Sequence, residues 1–398
     1  RNVHSYPAAP PRASANGARR QAVTLRDVIV DEIRHRGPMP FSRYMELCLY
    51  HPELGYYSRP TEQFGKGGDF YTSSDIHAVF GRLLARQFEE MWRVLGSPRR
   101  IDLIELGPGR GLFACDVLDW SARQFPDFAR ALHYAPVEQS PVLCARLHER
   151  LREHLTDGRA TISDSLESAA SVASSCLIVF ANEFFDALPV EIIDHRGAVR
   201  ITEIAGKLSE HFVPASSREL DFIDRYSVHP ESGERVEVSL AALEWMNRIT
   251  NAFAGKQGFA VLIDYGYTRD QQLAGRHRDT LMTYRAHRAT PSPYEAPGEQ
   301  DITAHVNFTA LGAVAADRGF DPLALLTQSQ FLLGIGEQSQ FADAFQDCVL
   351  PQERAKVALQ LKYLISPESM GEAFQVLVLS HGVPKEKAAR LSGLHLLL

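Results

Sequence analysis

The residues best placed to do chemistry form the run E-L-G-P-G-R-G, Glu105 to Gly111. It directly follows the apolar stretch I-D-L-I-E-L and opens a helical pattern, which is the context in which a glycine turn becomes a nucleotide site. Gly107 and Gly109, with Pro108 between them, can bend the chain at positive φ and let a ligand lie against bare backbone. Gly111 lets the helix start close to the sheet. The helix N-terminus offers unpaired N–H groups and a partial positive charge to an anionic group. A tight turn without a ligand is the alternative, so the ends of the neighbouring strands have to decide.

Glu138 ends the next strand, where an acid can accept from both ribose hydroxyls of an adenosine ligand. The glycine order is G-x-G-x-G rather than the dinucleotide G-x-G-x-x-G, and Glu105 stands two residues ahead of the first glycine. An acid there would repel a pyrophosphate and could meet an α-ammonium, so the local charge favours S-adenosylmethionine over NAD. Asp164, just past the third strand, could accept from the adenine amino group; a solvent-facing Asp is the other reading. N-E-F-F-D-A-L-P-V-E, Asn182 to Glu191, follows the fourth strand and so reaches the carboxyl edge of the sheet. Glu183 and Glu191 bracket an aromatic pair there and could hold a planar guanidinium. The alternative makes Phe184 and Phe185 core and the two acids a solvated edge.

The elements that must position these residues follow from hydrophobic spacing. Thr24 caps a helix with Leu25, Val28, Ile29 and Ile33 on one face, ended by Gly37-Pro38. A second helix is expected near 41–49, and a third over 76–95 after a Gly- and Tyr-rich loop. Continuous apolar strands at 101–106, 134–138, 160–163 and 176–182 then alternate with helices at 111–124 and 141–154, which means a parallel sheet covered on both faces. Segment 190–238 reads as inserted antiparallel strands, part of an antiparallel and helical subdomain on the substrate side. A helix at 239–254, a strand at 258–264, a long loop at 265–306, further helices and a last strand at 373–380 complete the pattern. The expected division is a disordered tail at 1–22, a helical N-terminal region at 23–98, an α/β core at 99–189 and 239–385, and the insertion at 190–238. The fold class is α/β, Rossmann-like.

Composition narrows the function further. The 398 residues carry a net charge of -7 with no basic cluster after residue 20, which argues against a nucleic-acid partner. No stretch approaches the roughly 18 apolar residues of a membrane span. Five scattered cysteines form no CxxC pair and no zinc spacing, so no metal is expected, and each reads as a small buried hydrophobe. The tail holds four Arg and no acid, and a transit-peptide remnant is its alternative reading. G-G-D-F-Y-T-S-S-D places Thr72 and Ser73 where their hydroxyls either cap a helix or meet the cofactor. His305 reads as a loop histidine rather than a base.

G-D-F-Y-T-S, E-L-G-P-G-R-G, N-E-F-F-D-A-L-P-V, I-D-Y-G-Y and D-I-T-A-H-V-N-F, in this order, resemble the MidA family of methyltransferases over residues 24–382. The resemblance implies a class I methyltransferase core and, in the family's mitochondrial member, an arginine methyltransferase acting on a subunit of respiratory complex I. Carried over by position, Gly107, Gly109 and Gly111 would form the cofactor loop, with Asn182, Glu183 and Asp186 beside the transferred methyl. Two departures fall on the presumed substrate side: Ser74-Asp75-Ile76-His77 where the family has P-E-I-S, and Asn307 where it has Asp. The expectation is thus an S-adenosylmethionine-dependent methyltransferase acting on a protein arginine, in a bacterial cytoplasm or a mitochondrial matrix, with a homodimer left open. An NAD-dependent oxidoreductase and a non-catalytic assembly factor that keeps the fold are the competing readings.

Overall fold

A computed structural model describes residues 23–59, 78–285, 288–289 and 292–397. The tail and the Gly67–Asp75 loop, with Thr72 and Ser73, lie outside these residues. In chain order the strands are β1 (Met39–Pro40), β2 (Ile101–Leu106), β3 (Leu132–Val137), β4 (Cys176–Asn182), β5 (Glu191–Asp194), β6 (Gly197–Ile204), β7 (Lys207–Val213) and β8 (Arg235–Val238). They continue with β9 (Gln257–Tyr267), β10 (Met282–Arg285), β11 (Arg288–Ala289), β12 (Asp301–Thr303), β13 (Val306–Asn307), β14 (Asp321–Thr327) and β15 (Phe374–His381).

The main sheet runs β14-β15-β9-β4-β2-β3, with β13 added at the end of β9. Strands β3, β2, β4 and β9 are mutually parallel, whereas β15 and β14 close the other edge antiparallel. Alternate residues of each strand feed opposite faces. Ile101, Leu103, Ile178 and Phe180 pack with α3 (Ala78–Val94) and α4 (Leu112–Gln124), including Phe88 and Phe113. Ile104, Leu177 and Val179 pack with Met246 and Phe253 on the helix Leu240–Ala252 and its flank, and with Phe308 and Leu311. Burial on both faces is why these strands read as unbroken apolar runs.

A second, antiparallel sheet of order β1-β6-β5-β8, with β7 on β6, is built from the 190–238 segment and two residues of the N-terminal region. It also carries a helix, Ser217–Tyr226, in keeping with an insertion of mixed antiparallel and helical character. A capping box between Ser216 and Glu219 starts it. Helices α1 (Leu25–Arg36) and α2 (Phe41–Tyr50) pack on this sheet and on β12, so Phe41, Met45, Val199, Ile201 and Ile302 share one core. A small sheet, β11-β10-β12, lies within the expected 265–306 loop.

Three boundaries differ from the expectation. Helix α3 belongs to the main core and not to an N-terminal region. The expected 160–163 strand is reduced to two bridges, Tyr134 to Ala160 and Val137 to Ser163. The packed chain also continues past residue 385: the amides of Ser392 and Gly393 donate to Glu90 and Gln87 of α3, and Leu391 and Leu394 are buried.

Candidate active site

Consecutive connections leave β2 in opposite directions, first to β3 on one side and then to β4 on the other. A crevice therefore opens at the carboxyl ends of β2 and β4, the place where open α/β sheets bind ligands. Both motifs singled out by the sequence end there. Gly107, Gly109 and Gly111 adopt φ of 64°, 50° and 72°, a conformation that disfavours a side chain. A Cβ on Gly107 would stand 3.0 Å from the Phe184 ring and one on Gly111 would stand 2.7 Å from the Leu147 side chain, so these two glycines close the turn against its neighbours. Among the described residues a Cβ on Gly109 would meet nothing within 4 Å, which leaves room there for a ligand.

Around that seat the polar groups are only partly satisfied. Glu105 is buried and accepts from the Tyr134 hydroxyl at 2.8 Å, and burial pushes its pKa to about 8. Glu138 accepts the Ser140 amide at 2.7 Å, with its pKa raised by burial. Its own amide donates to the Ser163 carbonyl at 3.1 Å, which brings exposed Asp164 to the end of the neighbouring bridge. Asn182 donates to Glu183 at 3.1 Å, while its Oδ1 is buried with no donor among the described residues.

After β4 the chain turns sharply. Glu183 takes the left-handed conformation, φ 50°, which is strained for a residue with a side chain, and its amide donates to the Ile263 carbonyl at 3.0 Å. Phe184 packs edge-on to Trp245, with centroids 4.8 Å apart. The turn is held by a residue that the sequence reading passed over. Asp264, in β9, accepts the amides of Phe184, Phe185 and Asp186 at 3.2, 2.9 and 3.2 Å, and that of Tyr265 at 2.9 Å. A signal was present, since Asp264 ends an apolar run just as Glu138 follows one.

Burial raises the Asp186 pKa to about 7, and burial together with the Asp186 and Glu183 charges raises that of Asp264. The amide donors to Asp264 oppose part of that shift without cancelling it.

Two expected site residues are engaged elsewhere. Glu191 lies in β5 and accepts from Ser42 and, at 3.1 Å, from Arg200, which also donates to Glu219 at 3.0 Å. It is therefore an element of the second sheet's ion-pair network, and the guanidinium it binds is the chain's own. Asn307 is buried and spends its side chain within the fold. It caps the helix Phe308–Asp317 by accepting the Ala310 amide at 3.0 Å, and its amide nitrogen donates to the Tyr226 carbonyl at 2.8 Å, a bond an Asp could not make. His305 faces His277, Nδ1 to Nδ1 at 3.3 Å, and burial lowers its pKa to about 4. The cysteines are less uniform than expected: Cys48 and Cys176 are buried, and Cys115, Cys144 and Cys348 are half-buried.

The profile of a family of S-adenosyl-L-methionine-dependent methyltransferases matches residues 83–325. The chain belongs to this family. S-adenosylmethionine is thus its cofactor, and the dinucleotide reading falls. Over 379 residues, 87% of this chain and 84% of the relative, it is 30% identical to the mitochondrial protein arginine methyltransferase NDUFAF7 of Danio rerio. The Drosophila melanogaster homolog is 28% identical over 88% of this chain and 84% of its own length. A crystal structure of a Burkholderia thailandensis protein bound to S-adenosyl-homocysteine is 28% identical and superposes with a TM-score of 0.75 over 93% of this chain and 94% of that one.

The crevice fits such a cofactor. The open space over Gly109, the unsatisfied Asn182 oxygen and a buried carboxyl at Glu105 offer respectively a seat, an acceptor for an N–H or O–H group, and a counter-charge for an ammonium. Among the described residues no helix is long and apolar enough to cross a membrane.

Proposed function

We propose that this enzyme methylates a nitrogen of a protein arginine side chain. The observation that carries the reading is the convergence of Glu183, Asp186 and Asp264 beside the glycine turn, at the edge of the sheet where the cofactor binds. The names of the animal relatives support it. In this reading Gly107, Pro108, Gly109 and Gly111 hold the cofactor's methionine end with Glu105, Glu138 takes the ribose hydroxyls, Asp164 the adenine edge, and Asn182 borders the sulfur; Thr72 and Ser73 join the cofactor set. The cofactor supplies a methyl group on a sulfonium.

The chain's own residues have two tasks. Glu183 holds and orients the guanidinium, as a carboxylate matched to a planar fork does. Asp186, titrating near pH 7, receives in its ionised form the proton that the nitrogen gives up on methylation. The animal relatives are named as mitochondrial, which supports the mitochondrial rather than the bacterial cytoplasmic reading.

Glu183→Gln tests the reading, because the amide keeps the shape and removes the charge. S-adenosyl-homocysteine affinity should stay within a few fold while single-turnover rate falls at least roughly a hundredfold. An unchanged rate sinks the guanidinium role, and a parallel loss of affinity moves Glu183 into the cofactor site.

A further inference from the structure

One aromatic pair in the N-terminal region stands apart from its neighbours. Phe41 and Tyr44 of α2 are wholly buried, yet Tyr50, at the end of the same helix, is 42% exposed. Its hydroxyl nevertheless has a defined partner. It donates at 2.8 Å to the carbonyl of Ala187, the residue after Asp186. Tyr57 lies beside it, centroids 5.6 Å apart and planes 30° apart, and its hydroxyl reaches both Asp301 oxygens at 3.3 and 3.4 Å. Asp301 opens β12, and Ala304 just beyond that strand donates its amide to the Asp186 carbonyl at 3.0 Å. Two rings and two buried carboxyls, Asp186 and Asp301, therefore gather at the turn that follows β4. The hydroxyl end of Tyr50 is buried although the residue as a whole is partly exposed, and both phenols are raised by burial first, then by the Asp301 charge, with Asp186 also contributing.

An exposed aromatic residue pinned by its hydroxyl presents a fixed ring face, and a ring face flanked by carboxylates is a receptor for a cation. We propose that Tyr50 and Tyr57, with Asp186 and Asp301, form the acceptor subsite that takes the cationic side chain, so that the N-terminal region shares with the methyltransferase sheet in selecting the substrate. This rests on the reading of the acceptor as a cationic nitrogen. It extends that reading by assigning recognition to residues outside the shared sheet. Tyr57 acts by stacking and by holding the Asp301 carboxylate in place, and Tyr50 by stacking alone, its hydroxyl being used to anchor the ring.

The full chain saturated with S-adenosyl-homocysteine is titrated with N-acetyl-arginine methylamide, its lysine counterpart and its neutral citrulline counterpart, followed by ligand-observed NMR. The arginine probe should bind, and the citrulline probe should bind at least about tenfold more weakly, since only the cation gains from the rings and carboxylates. Tyr50→Ala and Asp301→Asn should each weaken the arginine probe by about tenfold with S-adenosyl-homocysteine affinity unchanged, whereas Tyr50→Phe, which keeps the ring, should stay within about threefold. Tyr50 is exposed enough that its variants test the idea even if Asp301→Asn fails to fold. Preference for the lysine probe over the arginine probe supports the subsite and overturns the arginine assignment. Equal binding of citrulline, no binding of any probe, or unchanged binding by Tyr50→Ala overturns the subsite.

Discussion

Glu105 is a carboxyl whose ordinary charge is suppressed by its surroundings. With a pKa near 8 it is mostly protonated at pH 7 in the ligand-free protein. A cofactor ammonium placed against it would favour the ionised form. Binding of S-adenosyl-homocysteine at pH 7 should then release close to one proton, and the Glu105 share of the release should fall to about half at pH 8 and fade above it as the free group ionises. Calorimetry in two buffers of different ionisation heat reads this directly, and zero release at pH 7 removes Glu105 from the cofactor site. The same shift has a stability sign. The folded pKa lies above the unfolded value of 4.5, so the contribution is fully present below about 4.5 and is lost as pH rises through about 8. Glu105→Gln has no charge to bury, so its melting temperature relative to the parent should rise steadily between pH 5 and 8 while its cofactor affinity falls. A constant difference across that range contradicts the assignment. Glu105, Glu138 and Glu183 were legible because each stands at the end of an apolar strand. Asp264 stands at such a place too, but its role was not legible: its partners are backbone amides some 80 residues earlier in the chain, and no side-chain pattern marks them.

At the scale of elements, the strand–turn–helix unit separates two kinds of glycine that look alike in the sequence. Gly109 faces open space, so Gly109→Val costs only the strain of a left-handed non-glycine residue, about 1–2 kcal/mol, while its methyls occupy the ligand seat. Gly111→Ala meets the Leu147 side chain at 2.7 Å and adds overpacking of about 1–3 kcal/mol to the same strain. Gly109→Val should therefore lose S-adenosyl-homocysteine binding with a small fall in melting temperature, and Gly111→Ala should show the larger fall. The reverse order of stabilities would show that the ligand-free turn is not held as described. The parallel strands and their helices were readable from periodicity alone. The inserted subdomain was readable as strands with helical character but without the helix's place, although S-x-x-E at Ser216 to Glu219 announces it. Glu191 was misread because its partner, Arg200, is fixed by the β5–β6 hairpin, and pairing across a hairpin is invisible until register is known.

Taken whole, the molecule divides its work between two cores. One is the main sheet with its helices, which carries every residue assigned to the cofactor among those described. The other joins α1, α2, the second sheet and β12 through Phe41, Tyr44, Met45, Val199 and Ile302. This second core positions Tyr50 against the carbonyl of Ala187. Phe41 is fully buried within it, and Phe41→Ala should cost about 3–5 kcal/mol there. If the second core opens as its own cooperative unit, hydrogen exchange in Phe41–Tyr50, β5, β6 and β12 should accelerate together while β2, β4 and β9 keep their protection. Cofactor affinity should survive, because the glycine turn and Glu138 lie on the protected sheet. Binding of the arginine probe should fall, because Tyr50 loses its support. Uniform acceleration across both sheets would instead make the chain one cooperative unit, and loss of S-adenosyl-homocysteine binding in Phe41→Ala would mean that the N-terminal region holds the cofactor as well as the acceptor.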